Sequence, residues 1–224
     1  MLYLAAAITV IVSYLLGSVN FAVIFTKAFN KVDVRDFGSG NAGSTNVFRV
    51  SGVAAGVCTF VFDGLKGFLA VYVTKLIFTK LYTLIPTELF NPVYAMFLAG
   101  LLCMLGHCFP VFFQFRGGKA VATSIGIFAV CCPPAIIFGL ILFLVFVLIS
   151  KIVSLSSLVA TIGVFSGCIY AAFSGYLGQV NPIIITLIST LAGILVFLRH
   201  KDNIVRLINR TEKKISVKRS KKNG

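Results

Sequence analysis

Acidic residues are scarce: 224 residues carry six Asp and Glu against 20 Lys and Arg, with two histidines, and these groups are scattered. No set of them has the spacing of a metal centre, and none is expected. The six cysteines, Cys58, Cys103, Cys108, Cys131, Cys132 and Cys168, lie inside or at the edges of apolar segments without paired ligand spacing. They read as small buried hydrophobes. Other signatures are missing as well. There is no Gly-x-Ser-x-Gly elbow to present a serine nucleophile, and no Gly-x4-Gly-Lys-Ser/Thr phosphate loop. No internal repeat is visible, which weighs against an inverted-repeat transporter.

What the chain has in abundance is apolar residues, 58% of the total against 12% charged. That balance belongs in a bilayer, whose hydrocarbon core of about 30 Å takes roughly 20 residues of helix per crossing. Apolar segments run over residues 2–25, 53–74, 92–115, 120–150, 152–173 and 183–198. The first has no basic residue ahead of it and no small-residue cleavage site, so it is expected to remain as a span.

The basic residues fall unevenly between these segments. Lys27, Lys31, Arg35 and Arg49 follow the first, Arg116 and Lys119 the third, and Lys151 the fourth. Ten of the 20 Lys and Arg lie from Arg199 onward. The positive-inside rule then places the N-terminus outside and the basic C-terminus in the cytoplasm. Both ends of the fourth segment must share one side, so it goes out and comes back, broken at Cys132-Pro133-Pro134. Counting it as two short helices gives an all-α protein of about seven transmembrane helices. Residues 75–91 and a turn near residues 175–182 form the outer loops. The basic tail follows a span directly and has no aromatic residues to stack bases, so anionic lipid is its expected neighbour and nucleic acid is not.

Three polar clusters fall on the cytoplasmic side. The first is Gly38-Ser39-Gly40-Asn41-Ala42-Gly43-Ser44-Thr45-Asn46 with Arg49 three residues on. Glycines let backbone amides turn toward an anion, Ser39, Asn41, Thr45 and Asn46 add donors, and Arg49 offers a bidentate guanidinium. The same composition also suits a flexible exposed loop. The second is Gly106-His107, followed by Arg116-Gly117-Gly118-Lys119-Ala120-Val121. Gly117 and Gly118 bring free N–H groups to a helix start beside the Lys119 ammonium, a combination that suits phosphate; a positive-inside anchor would read the same way. In the third, His200, Asn203 and Arg206 share a helix face at steps of three, facing either the bundle or the lipid surface. Ser154, Ser156 and Ser157 place hydroxyls at the start of a span.

Asp63 and Lys66 stand one turn apart inside the second apolar segment. Charges there cost roughly 2.5–3.5 kcal/mol each unless partnered, so they are expected to pair with each other or to meet a substrate.

The order and wording of these clusters resemble the bacterial acyl-phosphate:glycerol-3-phosphate acyltransferase (PlsY) family. Tyr14-Leu15-Leu16-Gly17-Ser18, Phe62-Asp63-Gly64-Leu65-Lys66-Gly67 and Val153-Ser154-Leu155-Ser156-Ser157 are similar to family segments too. Two departures stand out: Arg210 where the family usually has glycine, and Ser44 in place of alanine. The resemblance implies a seven-helix membrane domain over residues 1–212 with a basic tail at 213–224, in the bacterial inner membrane with its site facing the cytoplasm. It implies that Ser39, Arg49, Lys119, Ser157, His200 and Asn203 line that site. The chain does not follow the His-x4-Asp acyltransferases, because the position that aspartate would take is Phe112.

The reaction implied is transfer of a fatty acyl group from acyl phosphate to the 1-position of glycerol 3-phosphate. Arg49 and Lys119, with Ser39 and Ser157, would hold phosphate, and Lys119 or Asn203 would stabilise the transition state. His200 would orient the hydroxyl or accept its proton, unless the substrate's phosphate does so. No nucleotide, metal or redox cofactor and no obligatory protein partner are expected. A transporter or channel for an anionic solute, and a non-catalytic partner of another lipid enzyme, are the competing readings.

Overall fold

The computed structural model describes residues 2–215, and among these there are helices and turns but no strand. The helices are α1 (Leu2–Gly17), α2 (Phe21–Asn30), α3 (Ser44–Leu84), α4 (Pro92–Cys108), α5 (Val121–Cys131), α6 (Pro133–Ser150), α7 (Val153–Phe173), α8 (Pro182–Arg199) and α9 (Lys201–Ile208). Among the described residues six stretches are long and apolar enough to cross a membrane, α1 and α2 being counted together across their break. Of the expected basic tail, residues 216–224 lie outside the described residues.

Three expected boundaries change. The first apolar segment is one candidate span but not one continuous helix, because the helix stops after Gly17 and restarts at Phe21, where the Asn20 side chain accepts the Val23 N–H at 3.3 Å. The second begins at Ser44 and runs to Leu84, past the residues expected to form an outer loop, which shrinks to residues 85–91. Its one interruption is Gly52, whose φ of +79° and ψ of −172° turn the chain in a region closed to most side chains. The third ends at Cys108 and is followed by a short 3-10 turn, Val111–Phe113. The fourth behaves as expected, with the break at Cys132 and a proline opening α6.

At 11 residues, or about 16 Å, α5 is too short to cross the hydrocarbon alone. It lies along α3, α1 lies along α4, and α6 lies along α7. Lipid supplies little hydrophobic drive between helices, so close backbone approach does the work. A Cβ added at Gly126 of α5 would lie 1.9 Å from the Gly64 carbonyl of α3, and one at Gly106 of α4 would lie 2.1 Å from the Tyr14 carbonyl of α1. The shared core includes Val71, Met104, Ile127, Ile185 and Val196, with Phe128 edge-on to Phe97 and Phe165. Large apolar side chains such as Ile141, Leu148 and Ile149 face outward, the surface a bilayer would cover.

The buried pair is present: Lys66 Nζ lies 2.8 Å from Asp63 Oδ1. Beside the pair stands His107, with Nδ1 3.5 Å from Asp63 Oδ1, a neighbour legible in the sequence only as part of a different cluster.

Candidate active site

The site gathers where the loop before α3, the loop before α5, and α9 meet. In the first loop Asn46 is a brace. Its Oδ1 accepts the Ser39 N–H at 2.9 Å, and its Nδ2 donates to the carbonyls of Val34 at 3.0 Å and Phe37 at 2.9 Å. Gly38, at φ +67°, lets the chain fold tightly over that amide. Arg35 ties this loop to the second. It grips Asp33 with Nε and Nη2 at 2.9 and 2.8 Å and donates Nη1 to the Phe113 carbonyl at 2.7 Å. The guanidinium holds the Asp33 carboxyl below its ordinary range.

The second loop is fixed from two sides. Gly118 N–H donates to the His107 carbonyl at 3.1 Å. Arg199, at the end of α8, donates Nε to the Gly118 carbonyl at 2.9 Å and Nη2 to the Gly117 carbonyl at 2.8 Å, with its guanidinium 5.3 Å from the Phe109 ring centre. Lys119 then projects across to α9, where Nζ donates to Asn203 Oδ1. Burial pushes the Lys119 ammonium down to a pKa of about 8, with Arg206 and Arg199 adding to the depression and Glu212 opposing it.

The α9 end of the site is closed by a chain reversal. Arg210 N–H donates to Leu207 and Thr211 N–H to Arg206, the two bonds of a Schellman motif, with Arg210 in the left-handed region at φ +57°. This returns Glu212 to α9, where Oε1 accepts from Asn203 Nδ2 at 2.9 Å and Oε2 from Arg206 Nε at 2.7 Å. Burial raises the Glu212 carboxyl, but these bonds outweigh it and hold the group below its ordinary value. Ile215 N–H then reaches the Lys151 carbonyl at 2.8 Å, so the end of α6 lies on the same side as the start of α5.

Between these elements is a cavity of about 270 Å³. Six cations line it (Arg35, Arg116, Lys119, Arg199, Lys201 and Arg206), against one carboxylate, Asp202. Of the residues singled out from sequence, Ser39, Asn41, Gly117, Lys119, Asn203 and Arg206 line the cavity. Gly118 stands one residue behind it, against His107. Thr45, Asn46, Arg49, Ser157 and His200 are not in the lining. Arg49 is exposed; Asn46 and Ser157 are buried. His200 is not on a common helix with Asn203 but caps the junction of α8 and α9, with Nδ1 2.8 Å from the Val196 carbonyl. Burial, and after it the Lys119 charge, push this imidazole to a pKa of about 4.

Sequence reasoning missed Arg199 and Glu212 as organisers. Arg199 opens the third cluster and Glu212 follows the position where Arg210 replaces glycine, so both signals were present without a partner to explain them. A second, apolar groove of about 660 Å³ runs between α7 and α8, and it shares Leu198 and Lys201 with the cationic cavity.

An integral-membrane helical protein with a cationic cavity adjoining an apolar groove is the class defined by this fold and site. The family model for glycerol-3-phosphate acyltransferase matches residues 7–210, and the chain belongs to that family. Glycerol-3-phosphate acyltransferase 2 of Bacillus anthracis is 42% identical over 208 residues, 93% of this chain and 98% of that protein. The Bacillus subtilis glycerol-3-phosphate acyltransferase is 38% identical over 209 residues, 93% of this chain and 97% of that one. Among solved structures, the integral membrane glycerol 3-phosphate acyltransferase PlsY in its glycerol 3-phosphate form matches with a TM-score of 0.79 at 34% identity, covering 94% of this chain and 96% of that chain. Its lysophosphatidic acid form matches with a TM-score of 0.76 at 33% identity, covering 94% and 95%.

Proposed function

We propose that this protein acylates the 1-position of glycerol 3-phosphate with a fatty acyl group from acyl phosphate, releasing lysophosphatidate and inorganic phosphate. The observation that carries the reading is the junction at Leu198 and Lys201, where a cationic cavity meets an apolar groove. An acyl phosphate has both characters in one molecule. Its chain would lie among the spans and its phosphate among the cations, where glycerol 3-phosphate brings a second phosphate whose repulsion those cations offset.

Three of the lining cations are already engaged: Arg35 by Asp33, Arg199 by the Gly117 and Gly118 carbonyls, and Arg206 by Glu212. They set the field and the loop geometry. Lys119 and Asn203 stand in mutual contact at the cavity wall. The C1 hydroxyl attacks the acyl carbonyl, with Lys119 or Asn203 stabilising the charge that develops on oxygen and phosphate leaving. A His200 imidazole held to about 4 is neutral at pH 7 but a poor proton acceptor. That favours a substrate phosphate as the acceptor, with His200 orienting groups around it.

Arg49 and Ser157 stay in this reading as proposed phosphate ligands, and Thr45 and Asn46 as proposed substrate-binding residues, from outside the cavity lining as it stands. The topology proposed is about seven transmembrane helices over residues 1–212, the short α5 being a half-helix shielded by the bundle, with the N-terminus outside, the cavity facing the cytoplasm of a bacterial inner membrane and the tail on anionic lipid. No cofactor and no obligatory protein partner enter this scheme.

The test is purification in detergent and incubation with glycerol 3-phosphate and either palmitoyl phosphate or palmitoyl-CoA, following lysophosphatidate and phosphate, with Lys119→Ala as control. Stoichiometric products from acyl phosphate alone, lost in the variant, support the reading. No product from folded protein with either donor overturns it.

A further inference from the structure

Asp63, Lys66 and His107 are all buried and none lines the cavity. His107 Nδ1 lies 3.5 Å from Asp63 Oδ1, the oxygen that also faces Lys66. Lys66 donates to the Val19 carbonyl at 2.6 Å, in the break between α1 and α2, and sits 5.7 Å from the Phe21 ring centre. Ionisable side chains held away from water are costly even when paired, so a cluster joining α1, α3 and α4 calls for a reason.

The reason lies on the other edge of the imidazole. A Cβ added at Gly118 would fall 2.2 Å from His107 Nε2, so the ring is seated directly against that glycine. The His107 carbonyl takes the Gly118 N–H, and Arg199 holds the Gly117 and Gly118 carbonyls. The turn is therefore clamped between His107 and Arg199, and the next residue is Lys119.

We propose that His107, seated beside the Asp63–Lys66 pair, is a positioning residue whose ring sets where the Gly117-Gly118 turn and Lys119 stand relative to a substrate phosphate. This rests on the acyl-transfer reading of the cavity. Backing a ligand loop with a fixed side chain is how a site keeps sub-ångström geometry, and an error of about 1 Å costs binding or rate steeply. A merely structural cluster would lower thermal stability when cut without changing how the folded enzyme handles its substrates.

The experiment uses the full chain in detergent and compares wild type, His107→Ala and His107→Gln in the monodisperse fraction, with KM measured for glycerol 3-phosphate and for palmitoyl phosphate. For His107→Ala the KM for at least one phosphorylated substrate rises about tenfold with kcat within about threefold, and His107→Gln, which restores bulk against Gly118, recovers most of that loss. Unchanged KM values for both substrates in the folded variants overturn the proposal. If His107→Ala is not recovered folded, His107→Gln decides: a rise in KM of about threefold supports positioning and an unchanged KM removes it. An inactive wild type would instead sink the acyl-transfer reading, which keeps the two failures distinct.

Discussion

Lys119, from the loop before α5, donates its ammonium proton to the side-chain oxygen of Asn203 on α9, joining two sequence clusters 84 residues apart. Both residues line the cavity, so the contact lies in its wall. Because burial lowers the Lys119 pKa to about 8, its proton is lost within an accessible range.

Activity is therefore expected to fall as pH rises through about 8, as the ammonium that faces phosphate becomes an amine. Lys119→Arg, permanently charged, is expected to be slower but to lack this alkaline limb. Stability moves the other way. Between about 8 and the ordinary value of 10.5 the unfolded chain binds the proton that the folded chain releases, so this residue's contribution rises with pH there. Profiles of kcat/KM against pH for both proteins check the first claim; an alkaline limb retained in Lys119→Arg would assign it to another group.

Glu212 is expected to act on stability through α9. Glu212→Gln loses the charge-assisted bond to Arg206 and is expected to cost about 1 kcal/mol, a modest figure because Arg206 is 38% exposed and screened. The folded carboxyl has a depressed pKa, so its contribution is present above the ordinary value of 4.5 and fades as pH falls through the folded value. Thermal unfolding in detergent should show a gap between wild type and variant at pH 7 that narrows in acid.

Arg210 holds the Schellman turn at φ +57°, a conformation in which its Cβ is strained and a glycine's absence of one is not. Arg210→Gly is expected to stabilise by about 0.5–1 kcal/mol, the relief being partly offset by the greater entropy of the unfolded chain. Tm should rise by roughly 2 °C with kcat little changed. A fall in Tm would mean that the arginine side chain makes a contact worth more than the strain.

How much of this was legible depends on which features are local. The out-and-back path of residues 120–150 followed from Lys119, Lys151 and two prolines, and the bond from Ile215 to Lys151 places both ends of that path on one side. The break at residues 18–20 was hidden because apolar residues flank it; it is fixed by tertiary contact, with Gly17 set against the Cys103 carbonyl and Val19 serving Lys66. Lys119 on the one hand, and Asn203 with Arg206 on the other, were readable as chemistry in two separate places. Their convergence, and the bracing by Arg199 and Glu212, depends on a helix end crossing to a distant loop and on a reversal at a non-glycine residue, neither of which has a local period or motif.

Asn46 separates a binding role from a bracing one. Read as sequence, it is one more donor for an anion; in the fold its amide is spent on Ser39, Val34 and Phe37. Asn46→Ala strands the buried Val34 carbonyl and removes the partner of a Ser39 N–H and a Phe37 carbonyl in an exposed part of the loop, at an expected cost of about 1–3 kcal/mol. Asn46→Asp would still accept from Ser39 but would set a carboxylate against two carbonyl oxygens, so it should recover little. Measured together, Tm and KM distinguish the roles: a bracing residue loses stability in both variants, whereas a direct ligand would leave Tm near wild type and raise KM alone. The three bonds favour the first outcome, because a side chain whose oxygen and both amide protons already have partners offers a substrate little without first dismantling the loop that carries Ser39 to the cavity.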